Sequence, residues 1–466
     1  MRRIEKILLN IVGAVIAIYA AIVLLFSLPF MQSALANWTA DALSDQLHAK
    51  VEIGSINLGF LNRVIVNDMT IYEPSGKQMA KVARMSASLN LFSLLSGNVD
   101  IGTAQLFGTK ATLYKKTPDS PPNYQFIVDA FSSEEEKPTK LNLHVGSLIM
   151  RHVDITYDIL SEERHPGHLD VNHLNLKDVG MNLMLRCLTD DTLNISVRRL
   201  QAKDLNSGLQ LLDTRAKLVG NKQKALLSDF SLSLPHSIIS TDSLRVEYGH
   251  FEADSTFKFS GTPILGHITP SDLTALYSDL SNLTRSIPFT FSAEGDEKVI
   301  RINECNIGDL DGDFLLRATA TATGLFSKQK RNIQANINTL YVSHHEMLYW
   351  ANVLFPEHHQ EKIINAIQYV DYEGSINYAA NGDITSQGNI LTGIGDTSYD
   401  LTYGAEHFLT ANISGKNVNV GALQEDSPLG TASFDLEVAM NLTETTPFPA
   451  GALRGDIHNI YYKDYN

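Results

Sequence analysis

The sequence predicts a mainly β protein: an elongated, curled antiparallel β-sheet (a β-trough or groove) with a few short helices and one N-terminal transmembrane helix. Three observations support this prediction. Apolar and polar residues alternate with a period of two along many segments after residue 50, which is typical of strands with one apolar and one wet face. Short connections that contain Gly, Pro, Asn and Asp separate these segments, which favours hairpins over helical crossovers. One long apolar run precedes all of them.

The apolar run extends from Ile7 to Phe30 and follows three basic residues, at positions 2, 3 and 6. A helix of about 20 apolar residues crosses the hydrocarbon core of a bilayer. No further Lys or Arg occurs before Lys50, so the positive-inside rule predicts a cytoplasmic N-terminus and a body outside the cytoplasm. The alternative is a cleaved secretory signal with the cleavage site at 34–36. The run is longer than the roughly 7–15 residues of a signal's apolar region, which favours an uncleaved anchor.

The alternation after residue 50 predicts which side chains share the apolar face of the sheet. Similar runs recur at 193–197, 287–293, 316–322, 333–337 and 434–442. Two earlier runs, at 83–91 and 153–159, supply the predicted inner-face residues, which are Ala83, Met85, Ala87, Leu89, Leu91, Val153, Ile155, Tyr157 and Ile159.

Three helical regions are expected among the strands. The first extends from about Ser33 to His48. The second begins at Thr269, an N-cap residue followed by a proline, and continues with apolar side chains at helical spacing to Leu283. The third, 343–370, is expected to hold two short helices separated near Pro356. We interpret each apolar stripe as a surface that packs onto the sheet.

Proline-rich and charged segments at 117–122 and 132–139 predict a linker between two parts of the body. The resulting organisation is a cytoplasmic tip and anchor at 1–30, an N-terminal unit of one helix and strands at 31–116, a linker or loop at 117–140, and an extended β-sheet trough at 141–466. Short helices near 269–284 and 343–370 belong to the last part.

Composition and motifs argue against nucleic-acid binding and give no support to catalysis. The formal net charge is −15 and the charges are dispersed, whereas a nucleic-acid partner favours a basic stripe. Cys187 and Cys305 are interpreted as buried free thiols, with one long-range disulfide as the alternative. The clusters at 344–346 and 357–359 lack zincin spacing, and 309–313 lacks the Gly and Glu of a calcium loop. We therefore expect no catalytic residue, metal or cofactor.

An apolar face of this total length can be buried in two ways. A second layer can cover it and form a closed core, or the sheet can curl so that the face lines an open groove. Because burial of a methylene contributes about 0.8 kcal/mol, moving a 16-carbon acyl chain into water costs on the order of 12 kcal/mol. A groove near a membrane would lower that cost, and lipid is the natural apolar cargo there. The residues alone leave both arrangements open.

The order of motifs after the apolar run is a further distinctive feature of the sequence. A helix is followed by the strands VEIGSI at 51–56 and VIVNDMTI at 64–71, a turn at Ser75-Gly76, the alternating strand 82–91, the turn LFSLLSGN at 91–98 and the strand at 99–101. The helix start at 268–273 adds to this pattern. In these segments the chain resembles the N-terminal part of the AsmA-like superfamily, most closely the TamB branch as found in Bacteroidetes-type bacteria. The clear resemblance covers about residues 1–115, and a looser one covers most of the rest.

The resemblance implies an inner-membrane-anchored protein whose body crosses the periplasm as a β-trough with a hydrophobic interior. It implies a non-enzymatic role in outer-membrane biogenesis, through phospholipid transfer or outer-membrane protein assembly. Membrane phospholipid would be the cargo and a BamA-like outer-membrane barrel a partner. The branch's C-terminal domain is not recognisable before Asn466, so we expect a shorter relative or a piece of a longer protein. The alternative is a structural or protein-binding β-rich envelope protein with a closed core, and an enzyme acting on lipid or glycan ranks third.

Overall fold

The computed structural model describes residues 13, 14, 17, 24, 28–59, 63–89, 100–132, 144–188, 192–249, 257–308, 312–325, 330–354, 361–404, 406–423, 427–442 and 450–462. Within these ranges the protein is mainly β, with long antiparallel ladders and a few short helices, which confirms that part of the predicted fold class. None of the helices in these ranges has the length and apolarity needed to cross a bilayer. Most of the predicted span Ile7–Phe30 lies outside the described residues.

The helices are α1 Pro29–Leu47, α2 Gln125–Ser132, α3 His344–Leu354 and α4 Glu361–Ile367, and short 3₁₀ turns occur at Pro270–Leu273, Ser278–Asn282 and Val420–Leu423. The strands are β1 Val51–Leu58, β2 Arg63–Tyr72, β3 Gln78–Leu89, β4 Asp100–Lys115, β5 His144–Ile159, β6 His173–Leu188, β7 Thr192–Asp204, β8 Gln210–Asn221, β9 Lys224–Ser233, β10 Ile238–Tyr248, β11 Phe257–Gly261, β12 Ile264–Ile268, β13 Ile287–Asp296, β14 Val299–Gly308, β15 Phe314–Thr323, β16 Asn332–Ser343, β17 Tyr369–Tyr378, β18 Ile384–Thr392, β19 Gly395–Tyr403, β20 Phe408–Asn419, β21 Leu429–Asn441 and β22 Ala450–Tyr462.

The chain divides into two compact units. Unit 1 comprises residues 1–219, 232–235 and 272–279, and unit 2 comprises 220–231, 236–271 and 280–466. The predicted linker at 117–140 lies within unit 1, where it connects two strands that pair with each other.

In unit 1, β1 to β4 pair antiparallel in sequence order, and so do β5, β6 and β7. Strands β4 and β5 are parallel, and a parallel pair requires a crossover connection. That crossover includes α2, a helix inside the segment that the sequence predicts to be an irregular linker. Phe126, Ile127 and Ala130 of this helix pack against the core of unit 1.

The core of unit 1 lies between α1 and the first three strands. Small side chains, Ala36 and Ala40, face the sheet from α1 and allow a close approach. The helix ends at His48, whose left-handed backbone (φ 49°) turns the chain into β1. The N–H of Val51 then donates to Ser44 Oγ at 2.9 Å, which ties the strand to the helix. This helix covers the predicted segment from Ser33 to His48. The buried core residues are Ala36, Ala40, Leu47, Ala49, Val51, Ile53, Ile56, Val66, Met69 and Val82.

A row of special backbone conformations crosses unit 1 and shifts the phase of the alternation. This phase-shift row comprises Asp68, Ala83, Gly108 and His152, which occupy neighbouring ladder positions, and Asp178, whose carboxylate contacts His152 at 2.7 Å. All except Ala83 are left-handed, with φ between 51° and 62°. Core side chains on either side of the row are therefore three residues apart instead of two. The buried pairs that show this spacing are Ile53 and Ile56, and Val66 and Met69; buried Val82 is followed three residues later by Met85, which is half-buried and packs against the core.

In unit 2, strands β13 to β22 form an antiparallel meander in which each strand pairs with the next. Helices α3 and α4 occupy the region where two short helices are expected. The region near 269–284 holds two short 3₁₀ helices, Pro270–Leu273 and Ser278–Asn282, instead of one continuous helix from Thr269 to Leu283. Thr269 is tied to residues 236 and 237, because its N–H donates to Ser237 Oγ and its hydroxyl to the His236 carbonyl, both at 2.9 Å.

Candidate functional site

The first candidate site is an apolar face on β3 to β7 of unit 1. Two rows of apolar side chains cross these five strands in register. All ten side chains are half-buried. Helix α1 packs on β1, and no helix among the described residues packs extensively on β5, β6 or β7. The unit 1 apolar face consists of Met85, Leu106, Met150, Met181 and Leu200 in one row and Ala87, Ala104, Leu148, Leu183 and Val197 in the other.

The structure brings some of the sequence-predicted inner-face residues onto this face. Met85 and Ala87 belong to it. Ala83 is exposed and lies in the phase-shift row, whereas its neighbour Val82 is buried. Leu89 belongs to β3 by its backbone, and Leu91 lies outside the described residues.

The predicted residues of β5 lie on the other side of the phase-shift row. Val153 is 1% exposed and Ile159 is 7% exposed, so both are core residues. Ile155 and Tyr157 are half-buried and align with Ala111 and Leu113 of β4. The sequence-predicted set is therefore divided between a covered core and a half-buried face.

The second candidate site is a longer apolar face on unit 2. Ladder register aligns Phe289, Ile307, Leu316 and Leu340 across β13 to β16, and similar rows continue to β21. At one end, side chains from β12, β13 and β14 line an apolar concavity of about 450 Å³. The lining residues are Ile264, Ile268, Ile287, Phe289, Thr290, Phe291, Cys305 and Ile307.

Strand β16 shows how the sequence builds this face. Residues 332, 334, 336 and 338 are exposed, and residues 333, 335 and 337 between them are half-buried. The apolar side of the strand carries Ile333, Ala335 and Ile337, while Gln334 and Asn336 lie on the wet side. The alternation that the sequence predicts is thus present side chain by side chain.

A pair of tyrosines interrupts the apolar face of unit 2 without leaving a polar group unsatisfied. The hydroxyls of Tyr372 and Tyr399 are 2.7 Å apart, and Ser386 Oγ lies 3.0 Å from that of Tyr399. Burial, and then the hydrogen bond with Tyr399, raises the pKa of Tyr372 to about 12. The ring of Tyr372 lies over Gly388, where an added Cβ would be 2.6 Å from Cε2. The face therefore accommodates the pair as neutral, mutually bonded hydroxyls.

The thiol in the unit 2 concavity has the chemistry of a small apolar group. Cys305 is free and half-buried, where the sequence interpretation expects it to be buried, and burial raises the pKa of its thiol. A neutral thiol is a poor nucleophile. The side chain of Cys187 lies outside what the structure describes. Within the described ranges, no group of three or more His, Cys, Asp or Glu side chains could hold a metal ion.

Two buried carboxylates have structural partners. Glu73 accepts hydrogen bonds from the Tyr114 hydroxyl at 2.8 Å and the Asn123 amide at 2.9 Å. Burial alone would raise the pKa of Glu73, but these bonds and one from a serine outweigh burial and lower the pKa. Glu346 pairs with Arg285. Both carboxylates therefore fasten loops and helices to their own unit.

All ten side chains of the unit 1 apolar face are half-buried, and β16 of unit 2 carries half-buried Ile333, Ala335 and Ile337. Cross-strand register, which no single segment of sequence contains, is what assembles these residues into faces.

The fold and these faces define a class: a mainly β protein whose antiparallel sheets carry half-buried apolar surfaces. No family model, no curated protein and no solved structure matches this chain. The resemblance to the AsmA-like superfamily therefore stays a prediction from the residues.

Proposed function

We propose that this chain is a non-enzymatic, inner-membrane-anchored periplasmic protein whose apolar sheet faces shelter the acyl chains of membrane phospholipid. It acts in outer-membrane biogenesis, through phospholipid transfer or outer-membrane protein assembly, with a BamA-like outer-membrane barrel as a partner. The observation that carries this proposal is the half-buried state of all ten side chains of the unit 1 apolar face.

Half-burial is what a groove requires, because a groove side chain contacts its neighbours along the sheet and still offers surface to a ligand. Burial of apolar area stabilises by roughly 25 cal/mol per Å². Exposed apolar patches larger than a few hundred Å² are typical of binding sites. The acyl chains of a lipid are long and flexible, so they can follow an apolar surface that extends across many strands.

The apolar concavity of unit 2 supports the same proposal. Its volume of about 450 Å³ falls within the range of roughly 300–1,000 Å³ for small-ligand pockets. Its lining offers shape and apolar contact but no charged group, which suits an acyl chain better than a polar substrate.

The experiment that tests the proposal places one negative charge on either side of β16. Ile337→Asp adds the charge to the apolar side and Asn336→Asp adds it to the wet side of the adjacent residue. The full-length variants are reconstituted in vesicles, and the transfer of a fluorescent phospholipid to acceptor vesicles is measured.

We expect Ile337→Asp to lower the transfer rate at least tenfold, because a carboxylate beside an acyl chain must be desolvated. Asn336→Asp should keep the wild-type rate. Circular dichroism is used to check that both variants are folded. Equal transfer by the two folded variants would contradict the proposal.

A further inference from the structure

The wet face of unit 1, opposite the apolar face, carries a cluster of exposed arginines. Arg84 and Arg151 lie at the same level of the sheet, with Phe107 between them in the ladder register. Arg63 is near the start of β2, and Arg199 faces Asn182 across β6 and β7. We call Arg63, Arg84, Arg151 and Arg199 the arginine face.

Two concavities lie side by side on this face. The first, of about 200 Å³, has three of the four arginines in its wall, Arg63, Arg84 and Arg151. The second, of about 390 Å³, is lined by Arg151, Arg198 and Arg199 together with amide side chains. The first concavity also contains hydrogen-bonding side chains, Ser86 and Gln105, and an aromatic ring, Phe107, that is 48% exposed.

The arginine face is not neutralised by acidic side chains. The chain as a whole has a formal net charge of −15, yet the strand segments that form this part of the face contain neither Asp nor Glu. These segments are 63–67, 84–88, 103–107, 147–151, 180–184 and 195–201.

Two acidic side chains in or beyond the phase-shift row are already engaged. Asp178, in the row, pairs with His152 at 2.7 Å, and Asp154, beyond it, pairs with Lys177 at 2.8 Å. Arg199 donates to Gln201 Oε1 at 2.8 Å. Among the described residues, none of the four arginines forms an ion pair with a carboxylate. Four like charges gathered without counter-charges favour an anionic ligand.

We propose that the arginine face binds the anionic phosphate headgroups of a lipid bilayer surface, an inference that rests on the proposed function. The guanidinium group matches phosphate oxygens with two parallel hydrogen bonds. The exposed ring of Phe107 adds an apolar side chain of the kind that enters the headgroup region of a membrane. Unit 1 would thus meet a membrane through its wet face while its apolar face receives acyl chains.

The experiment measures binding of the full chain, held in phosphatidylcholine nanodiscs, to vesicles that contain phosphatidylglycerol. Pure phosphatidylcholine vesicles give the background. The test variant is Arg84→Gln with Arg151→Gln. The matched control is Arg245→Gln with Arg317→Gln, which removes two exposed arginines from strands of unit 2.

Each arginine near an anionic surface contributes about fivefold in affinity, so the test variant should bind roughly 25-fold more weakly. The control should bind like the wild type, and Arg84→Lys with Arg151→Lys should retain most of the affinity. Wild-type affinity in the test variant, or an equal loss in the control, would overturn the inference.

Two further measurements separate this inference from other ligands and from the proposed function. If the wild type binds heparin or inorganic phosphate but not the phosphatidylglycerol vesicles, the face is a site for soluble anions and the inference is wrong. The second measurement is phospholipid transfer by both sets of variants. If Ile337→Asp lowers transfer but the Arg84→Gln, Arg151→Gln variant does not in any vesicle, the proposed function stands and the inference of a headgroup site is wrong.

Discussion

The phase-shift row of unit 1 makes a quantitative prediction about Gly108. Its φ of 62° lies in the left-handed region, where a residue with a Cβ costs roughly 1–2 kcal/mol. The added Cβ would also lie 3.1 Å from the Cβ of Ala83 on the neighbouring strand. Gly108→Ala should therefore lower the unfolding free energy of unit 1 by about 1–2 kcal/mol.

A control in the same strand separates backbone strain from crowding. A Cβ at Gly102 would meet Ser88 Oγ at the same distance of 3.1 Å, but Gly102 is not left-handed. A Cβ at Gly102 needs only a small displacement of Ser88 Oγ, which accepts a hydrogen bond from the N–H of Thr103 at 2.9 Å, and adds no left-handed strain. Gly102→Ala should therefore cost less than Gly108→Ala. Gly108→Asn should also cost less, since Asn tolerates the left-handed region better than Ala.

Urea unfolding of the full chain, followed by hydrogen–deuterium exchange of peptides from β3 and β4, measures this difference in unit 1. Exchange is preferred to tryptophan fluorescence because Trp38 of α1 is 70% exposed in the folded state. Equal effects of Gly108→Ala and Gly102→Ala would refute the argument that left-handed residues set the phase of the alternation.

Three other predictions follow from single side chains. Val153→Ala removes two carbons from a site that is 1% exposed and should cost about 1–2.5 kcal/mol in the same urea assay, with Ile155→Val costing less. Because the folded pKa of Tyr372 is raised from 10.0 to about 12, the folded state holds the proton more tightly. Its contribution to the stability of unit 2 should be complete below pH 10 and lost as the pH rises to about 12, and Tyr372→Phe should abolish this dependence in pH-resolved unfolding. In a Cys187→Ser background, Cys305 should react slowly with a maleimide at neutral pH and more slowly still with phospholipid present; labelling as fast as an exposed thiol would argue against a lined apolar concavity.

The sequence predicts the faces well where the alternation is uninterrupted. On β16, Ile333, Ala335 and Ile337 follow the period-two rule, and the structure places all three on one side. The predicted antiparallel ladders and the two short helices after residue 343 are also confirmed. In these segments local pattern and tertiary structure agree, because no backbone irregularity intervenes.

The prediction is least informative where backbone conformation changes the phase. Ala83 continues the alternating run with Met85 and Ala87, yet it is exposed because Asp68 and Gly108 on either side are left-handed. The sequence does contain one indication of this phase shift, because the apolar residues Val66 and Met69 are three positions apart instead of two. A left-handed Asp has no local pattern strong enough to reveal it alone.

The pairing register of strands that are distant along the chain is the second feature that the sequence does not predict. The parallel pairing of β4 with β5 depends on α2, whose apolar segment lies inside a region dominated by proline and charge. The arginine face depends on the same register, because Arg63 and Arg199 are far apart along the chain. Charge counted along the sequence appears dispersed, whereas charge counted across the strands is concentrated.

The most direct test of the central claim is a photo-crosslinking scan along β16 in cells. A photoreactive amino acid replaces each residue from 332 to 337 in turn in the full chain, and lipid adducts are identified by mass spectrometry. We predict phospholipid adducts at Ile333, Ala335 and Ile337 and none at Asn332, Gln334 and Asn336, which are exposed on the wet side. Absence of lipid at all six positions, or equal adduct formation on both sides of the strand, would contradict the account.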